Sequence, residues 1–228
     1  MSLRIRSRLG AADVMTLFNA TIGVVAMAAA VVGRPVLVAQ LVLLAAVADG
    51  LDGIIARTFG GTDVGPYLDS MADIVSFGTA TGLFVFAVAR DEWETLTDEP
   101  ELFAIAAGTA SIFVVFSLLR TAMYTVYVGE GENRPGIQNT LASSILAAAY
   151  LAGVTNVPVL LASTAGLSLL MVAPVPYPKL AARDALIMGV VQIGAIAAPT
   201  AFERVFPRVL LVAALAYMTF GPRLYWEE

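Results

Sequence analysis

The chain contains no cysteine and no histidine, and its one lysine, Lys179, stands against twelve arginines. Without cysteine there is no disulfide, no thiol nucleophile and no Cys/His zinc centre. Without histidine the usual imidazole acid–base group is missing. Acid–base chemistry then falls to carboxylates, tyrosine or lysine. Charge of any kind is scarce, at 14% of 228 residues, and the net charge is −5. No basic face is left over for a phosphate backbone, which disfavours nucleic acid as a partner. What is abundant is apolar surface: 59% of residues are hydrophobic and the mean hydropathy is +0.83. A soluble fold has nowhere to hide so much. The class is an all-α polytopic membrane protein.

The apolar runs predict eight transmembrane helices, at about 12–32, 36–57, 66–90, 102–122, 137–153, 157–173, 185–199 and 208–221. Residues 1–10, with Arg4, Arg6 and Arg8, read as a basic arm on an anionic membrane surface or as a topology signal. No cleavable signal is expected, because the next apolar run continues as a full span. The stretch Asp91–Glu101 holds six acidic residues and reads as an outside loop. Residues 125–136 form the longest loop expected on the opposite side, and 174–184 a second. With the N-terminus inside, Arg4, Arg6, Arg8, Arg57, Arg120, Arg134, Lys179, Arg183 and Arg223 collect on the cytoplasmic side. Arg34, Arg90, Arg204 and Arg208 lie outside. That bias agrees with the positive-inside rule and puts both ends in the cytoplasm of a cell-membrane protein.

Against this background the acids of residues 49–73 stand out. Asp49 and Asp52 are three apart, and Asp69 and Asp73 four apart, across the end of one apolar run and the start of the next. On helices each pair shares one face. Carboxylates beside hydrocarbon are costly and mark function. Four of them pointing into one pocket repel unless a cation holds them, and hard oxygen ligands suit Mg²⁺, Mn²⁺ or Ca²⁺. Asp49 lies about 12 Å of helix before Arg57, inside a polar cleft near the cytoplasmic end.

The stretch reads Asp49-Gly50-Leu51-Asp52-Gly53-Ile54-Ile55-Ala56-Arg57, a seven-residue spacer, then Gly65-Pro66-Tyr67-Leu68-Asp69-Ser70-Met71-Ala72-Asp73. It resembles the signature of the CDP-alcohol phosphotransferase family, D-x-x-D-G-x-x-A-R followed by G-x-x-x-D-x-x-x-D, and the match is complete. The resemblance implies one transmembrane domain over 1–228, with a six-helix core and two extra C-terminal helices in 181–228. It implies transfer of a phosphatidyl-type group from a CDP-linked lipid to an alcohol, with release of CMP. Asp49, Asp52, Asp69 and Asp73 are then metal ligands for Mg²⁺ or Mn²⁺, with two ions expected. Asp73 is also the general base. Gly53, Ala56 and Gly65 let nucleotide or diphosphate approach the backbone, and Arg57 meets a phosphate or braces a motif carboxylate. Thr16 and Asn19 match part of the family's opening P-N-x-x-T-x-x-N, where Ala12 and Asp13 depart from it. They are expected at the nucleotide or headgroup, or in interhelical hydrogen bonds. A homodimer is the family expectation.

For the acceptor, Leu68-Asp69-Ser70-Met71-Ala72-Asp73-Ile74-Val75-Ser76-Phe77-Gly78 is similar to the serine-transferring branch, which reads L-D-S-x-A-D-x-V-x-F-G. Leu119-Arg120-Thr121-Ala122 resembles that branch's L-R-x-A-R, with Met123 in place of the second arginine, and Pro176-Tyr177-Pro178-Lys179 resembles its P-Y-x-K ending. The expected acceptor is L-serine, with Arg120 holding its carboxylate. Scarce lysine with surplus acid is a composition of extreme halophiles. In a halophilic archaeon the lipid is an ether lipid and the transferred group archaetidyl rather than phosphatidyl. The rivals are inositol phosphate and glycerol phosphate, whose sites call for more basic residues than this chain offers. A cation transporter is the reading from another class, but its relay needs acids near mid-membrane, and these cluster at one end.

Overall fold

A computed structural model of the chain describes residues 8–127, 134–177 and 182–224. Nine α-helices are present among them: α1 (Ala11–Val31), α2 (Pro35–Phe59), α3 (Gly65–Asp73), α4 (Ala80–Glu92), α5 (Pro100–Tyr127), α6 (Asn139–Ala152), α7 (Val157–Met171), α8 (Ala182–Ala197) and α9 (Ala201–Leu224). A π-helical turn, Ile74–Thr79, joins α3 to α4 without a break. The described residues therefore form eight rods, the number that the apolar runs predict. Five rods are long and apolar enough to cross a membrane, while α6, α7 and the 187–197 part of α8 are shorter. One two-residue pairing, β1 (Arg134–Pro135) antiparallel to β2 (Pro176–Tyr177), ties together the turns before α6 and after α7.

Two boundaries differ from expectation. Helix α5 continues to Tyr127, so residues 125–127 are helix rather than loop. The Thr125 hydroxyl bonds the Thr121 carbonyl at 2.8 Å and meets the Ser70 hydroxyl of α3 at 2.9 Å, giving the extra turn a partner. The last rod begins at Ala201, not near 208. Phe202, Glu203 and Arg204 there take left-handed backbone angles (φ 48–66°), a tight turn that leads into the rod. Arg4 and Arg6 of the expected basic arm, and Lys179, lie outside the described residues.

In lipid, apolar side chains gain little by leaving a neighbour that is equally apolar, so helices associate through close approach and hydrogen bonds. Both are present. Alanines of α1 and α2 (Ala26, Ala29, Ala30 and Ala39) are buried in one cluster with Phe84 and Val88 of α4. Gly23 lies so close to the π turn that a Cβ there would sit 2.8 Å from the Ser76 Cα. The Ser76 hydroxyl bonds the Asn19 carbonyl at 2.9 Å. A π turn breaks the regular i→i−4 ladder, and the Phe77 carbonyl within it accepts from the Ser143 hydroxyl of α6 at 2.8 Å. Helix α8 is fastened to α2 twice: Gln40 Nε2 donates to the Ile196 carbonyl at 2.6 Å, and Gln192 Nε2 to the Leu43 carbonyl at 2.7 Å. Helix α9 packs on α6 and α8. The two C-terminal rods thus flank α2 and α6, the helices that meet at the motif.

Candidate active site

Helix α2 brings Asp49 and Asp52 to the place where α3 presents Asp69 and Asp73. One carboxylate oxygen from each of Asp49, Asp69 and Asp73 lies within 4.8 Å of the other two. Asp49 and Asp73 are half-buried and Asp69 is exposed, so the cluster is a pocket with one open side. The Asp49 and Asp73 carboxyl groups are in hydrogen-bond contact. The other Asp73 oxygen, Oδ1, is buried with no hydrogen-bond partner. Thr140, in the first turn of α6, donates to Asp49 Oδ2 at 3.5 Å. Two touching carboxylates and an orphaned buried oxygen fit a hard divalent cation, which would neutralise the repulsion and fill the unused lone pairs.

Asp52 stands apart from these three. It is 6% exposed, and its Oδ2 accepts from the Thr16 hydroxyl at 2.7 Å. The spacing of three turns Asp52 partly toward α1, where Thr16 is waiting. The same hydroxyl contacts the Ala12 carbonyl at 3.1 Å, so Thr16 is committed inside the protein. Asn19, one turn further along α1, is fully buried, and neither polar atom of its side-chain amide has a partner. Sequence reasoning missed Asp13. It is 2% exposed, and its Oδ2 accepts from the Gly10 backbone N–H at 2.7 Å and from the Thr62 hydroxyl at 2.8 Å. It closes a capping box at the start of α1 and ties that start to the loop between α2 and α3. The Gly10-x-x-Asp13 spacing is the signal that marks it.

The motif's small residues have neighbours within the chain. A Cβ at Gly65 would lie 3.2 Å from Asp13 Oδ1. A Cβ at Gly53 would lie 3.4 Å from Arg57 Nη1. Arg57 thus folds back over Gly53 with an exposed side chain, and no ion pair to a motif carboxylate is formed. Ala56, one residue earlier, is half-buried.

On α5, Arg120 is half-buried, with its guanidinium 5.3 Å from the centre of the Tyr124 ring. It lies within electrostatic reach of Asp73. Arg120 and Tyr124 line a cavity of about 290 Å³ with Met123, Pro135, Met171 and Val172. Next to it, Asn139 Nδ2 donates to Thr121 Oγ1 at 2.8 Å and to the Ser117 carbonyl at 3.4 Å. Ser70, next to Asp69, meets Thr125 on the same helix. The turn that carries Gly136 is held by bonds from its N–H to the Val175 carbonyl (2.9 Å) and from Ile137 N–H to the Leu170 carbonyl (3.1 Å).

A helical membrane protein whose facing helices converge three aspartates beside a buried threonine–aspartate pair is built to handle a phosphorylated substrate at the bilayer surface. The chain belongs to the CDP-alcohol phosphatidyltransferase family, whose model matches residues 9–220. It is an enzyme of that family. It is 27% identical to the archaetidylserine synthase of Methanothermobacter thermautotrophicus, over 77% of this chain and 72% of that protein. It is 32% identical to the CDP-diacylglycerol–serine O-phosphatidyltransferase of Bacillus subtilis, over 57% of this chain and 68% of that one. The enzyme of the same name from Mycobacterium bovis is 27% identical over 51% of this chain and 38% of its own length.

Proposed function

We propose that the enzyme transfers the phosphatidyl or archaetidyl group of a CDP-linked lipid to the hydroxyl of L-serine and releases CMP. The observation that carries the reading is the convergence of Asp49, Asp69 and Asp73 within 4.8 Å, with Arg120 on the neighbouring helix in reach of Asp73. The names of two of the relatives, an archaetidylserine synthase and a CDP-diacylglycerol–serine O-phosphatidyltransferase, support serine as acceptor.

In this reading the serine oxygen attacks the lipid-side phosphorus of the diphosphate. A new P–O bond forms, the P–O bond to CMP breaks, and the CMP phosphate takes the electron pair. Asp73 takes the serine hydroxyl proton, and its pairing with Asp49 holds it in place. Asp49, Asp69 and Asp73 would hold divalent ions, which when bound would neutralise the charge of the diphosphate; Asp52, turned to Thr16, would join them only from outside this group of three. Arg57 meets a substrate phosphate, since no motif carboxylate occupies it. Gly53, Ala56 and Gly65 leave the floor of the nucleotide site low. Thr16 sets the Asp52 carboxylate, and Asn19 lies behind it. Arg120, backed by Tyr124, takes the serine carboxylate. The arginine bias puts this end of the bundle in the cytoplasm of a cell-membrane enzyme, and the working form is a homodimer.

The test is incorporation of isotopically labelled serine. Purified enzyme, CDP-linked lipid, Mg²⁺ and labelled serine should give a labelled lipid that is absent with Asp73→Asn. Label that stays wholly in the aqueous phase overturns the serine assignment.

A further inference from the structure

Two consecutive residues at the start of α6 reach in different directions. Asn139 Nδ2 donates to Thr121 Oγ1 at 2.8 Å and to the Ser117 carbonyl at 3.4 Å, both on α5. Thr140 donates to Asp49 Oδ2 of α2 at 3.5 Å. Neighbouring positions on a helix point about 100° apart, so one helical turn serves both walls of the site. On α5 the two acceptors bracket Arg120: Ser117 stands one turn before it and Thr121 directly after it.

Asn139 and Ser117 are fully buried, and Thr121 is nearly so. Half of the Asn139 amide is unsatisfied, because its Oδ1 is buried with no hydrogen-bond partner among the described residues. An apolar side chain of similar size would fill the place without that cost. An amide kept there points to the two bonds it donates rather than to packing.

The start of α6 is itself fixed. Gly136 takes a φ of +76°, and a Cβ there would collide with the Met171 carbonyl, so the turn into α6 lies hard against the end of α7. One turn further, on the Asn139 face, Ser143 bonds the Phe77 carbonyl of the π turn at 2.8 Å. The first turn of α6 is therefore a fixed wedge between α2, which carries Asp49, and α5, which carries Arg120.

We infer that Asn139 and Thr140 are positioning residues that set the two halves of the site against each other. Thr140 aims the Asp49 carboxylate at the divalent ion, and Asn139 holds the turn of α5 from which Arg120 meets substrate. Both act through the residue they hold. The inference rests on the proposed roles of Asp49 and Arg120.

The test compares variants of the full-length enzyme by steady-state CMP release and by thermal melting in detergent. Asn139→Leu removes the amide and fills its space. Thr121→Val keeps the shape and removes the acceptor, and it reads the same bond should Asn139→Leu not fold. Each should raise KM for serine about three- to tenfold, the loss of one hydrogen bond, and leave the effect of Mg²⁺ on melting unchanged. The double variant should be no worse than the worse single one, because both remove the same bond. Thr140→Val should do the converse. It should raise the Mg²⁺ concentration that gives half of the melting-temperature increase about three- to tenfold, with KM for serine unchanged, and Thr140→Ser should recover the loss. Arg120→Lys is the reference. A serine KM raised by Arg120→Lys but not by Asn139→Leu or Thr121→Val overturns the role of Asn139. An unchanged Mg²⁺ midpoint in Thr140→Val overturns that of Thr140. Loss of kcat alone, with every KM and the midpoint unchanged, reduces both residues to packing and overturns the whole. A KM for the CDP-linked lipid raised by Arg120→Lys and Asn139→Leu alike, with that for serine unchanged, supports the wedge and removes serine from Arg120.

Discussion

The Thr16 hydroxyl donates to Asp52 Oδ2 at 2.7 Å, with both residues buried. This bond joins the first helix to the motif helix and sets the direction of one of its two carboxylates. A hydrogen bond to a charged group contributes about 1.5–3 kcal/mol. Thr16→Val keeps the shape and removes the donor. It should lower kcat/KM about 10- to 100-fold, and Thr16→Ser should recover most of the loss. Steady-state kinetics with CMP release decide this, and a valine variant with full activity removes the clamp from the account.

Asp73 has one buried oxygen without a partner and one in contact with Asp49. As general base its contribution is about 10²–10⁴-fold in rate. Asp73→Asn should lose at least about 100-fold in turnover while CDP-linked lipid binding persists, measured by isothermal titration in detergent. Normal turnover by this variant excludes Asp73 as the base.

The Asp49, Asp69 and Asp73 cluster brings three carboxylates within 4.8 Å. Exhaustive chelation should stop CMP release, and Mg²⁺ or Mn²⁺ should restore it. The same ions should raise the melting temperature of the unliganded enzyme, because a bound cation relieves the repulsion of the folded state. Undiminished turnover after complete metal removal contradicts the arrangement.

Arg120 stands over Tyr124 at 5.3 Å. A fork of donors matches a carboxylate in a way that an ammonium does not. Arg120→Lys should raise KM for serine about tenfold or more and leave KM for the CDP-linked lipid within about twofold, a loss near 1.4 kcal/mol. Equal rises for both substrates place Arg120 on the diphosphate instead.

Much of this architecture is legible in the sequence. Apolar runs of membrane length can only be helices, because lipid offers no partner to unpaired backbone groups. The three- and four-residue spacings put each aspartate pair on one helix face, and the short Gly60-Gly61 turn folds the two helices together. The less legible parts depend on contacts between distant segments. Asp13 differs from the family pattern by one residue, and its role appears only when α1 meets Thr62. The π turn follows Asp73 in a run that reads as ordinary helix, and it is recognisable only through its partners, Asn19 and Ser143. The bond from Thr140 to Asp49 spans ninety-one residues. No spacing rule reaches that far.

The central claim is the acceptor. Purified enzyme with a CDP-linked lipid and Mg²⁺ is given serine, glycerol 3-phosphate or inositol 1-phosphate in separate reactions, and CMP release is followed. The account predicts release with serine alone, abolished by Asp73→Asn. Release with a phosphorylated acceptor and none with serine contradicts it.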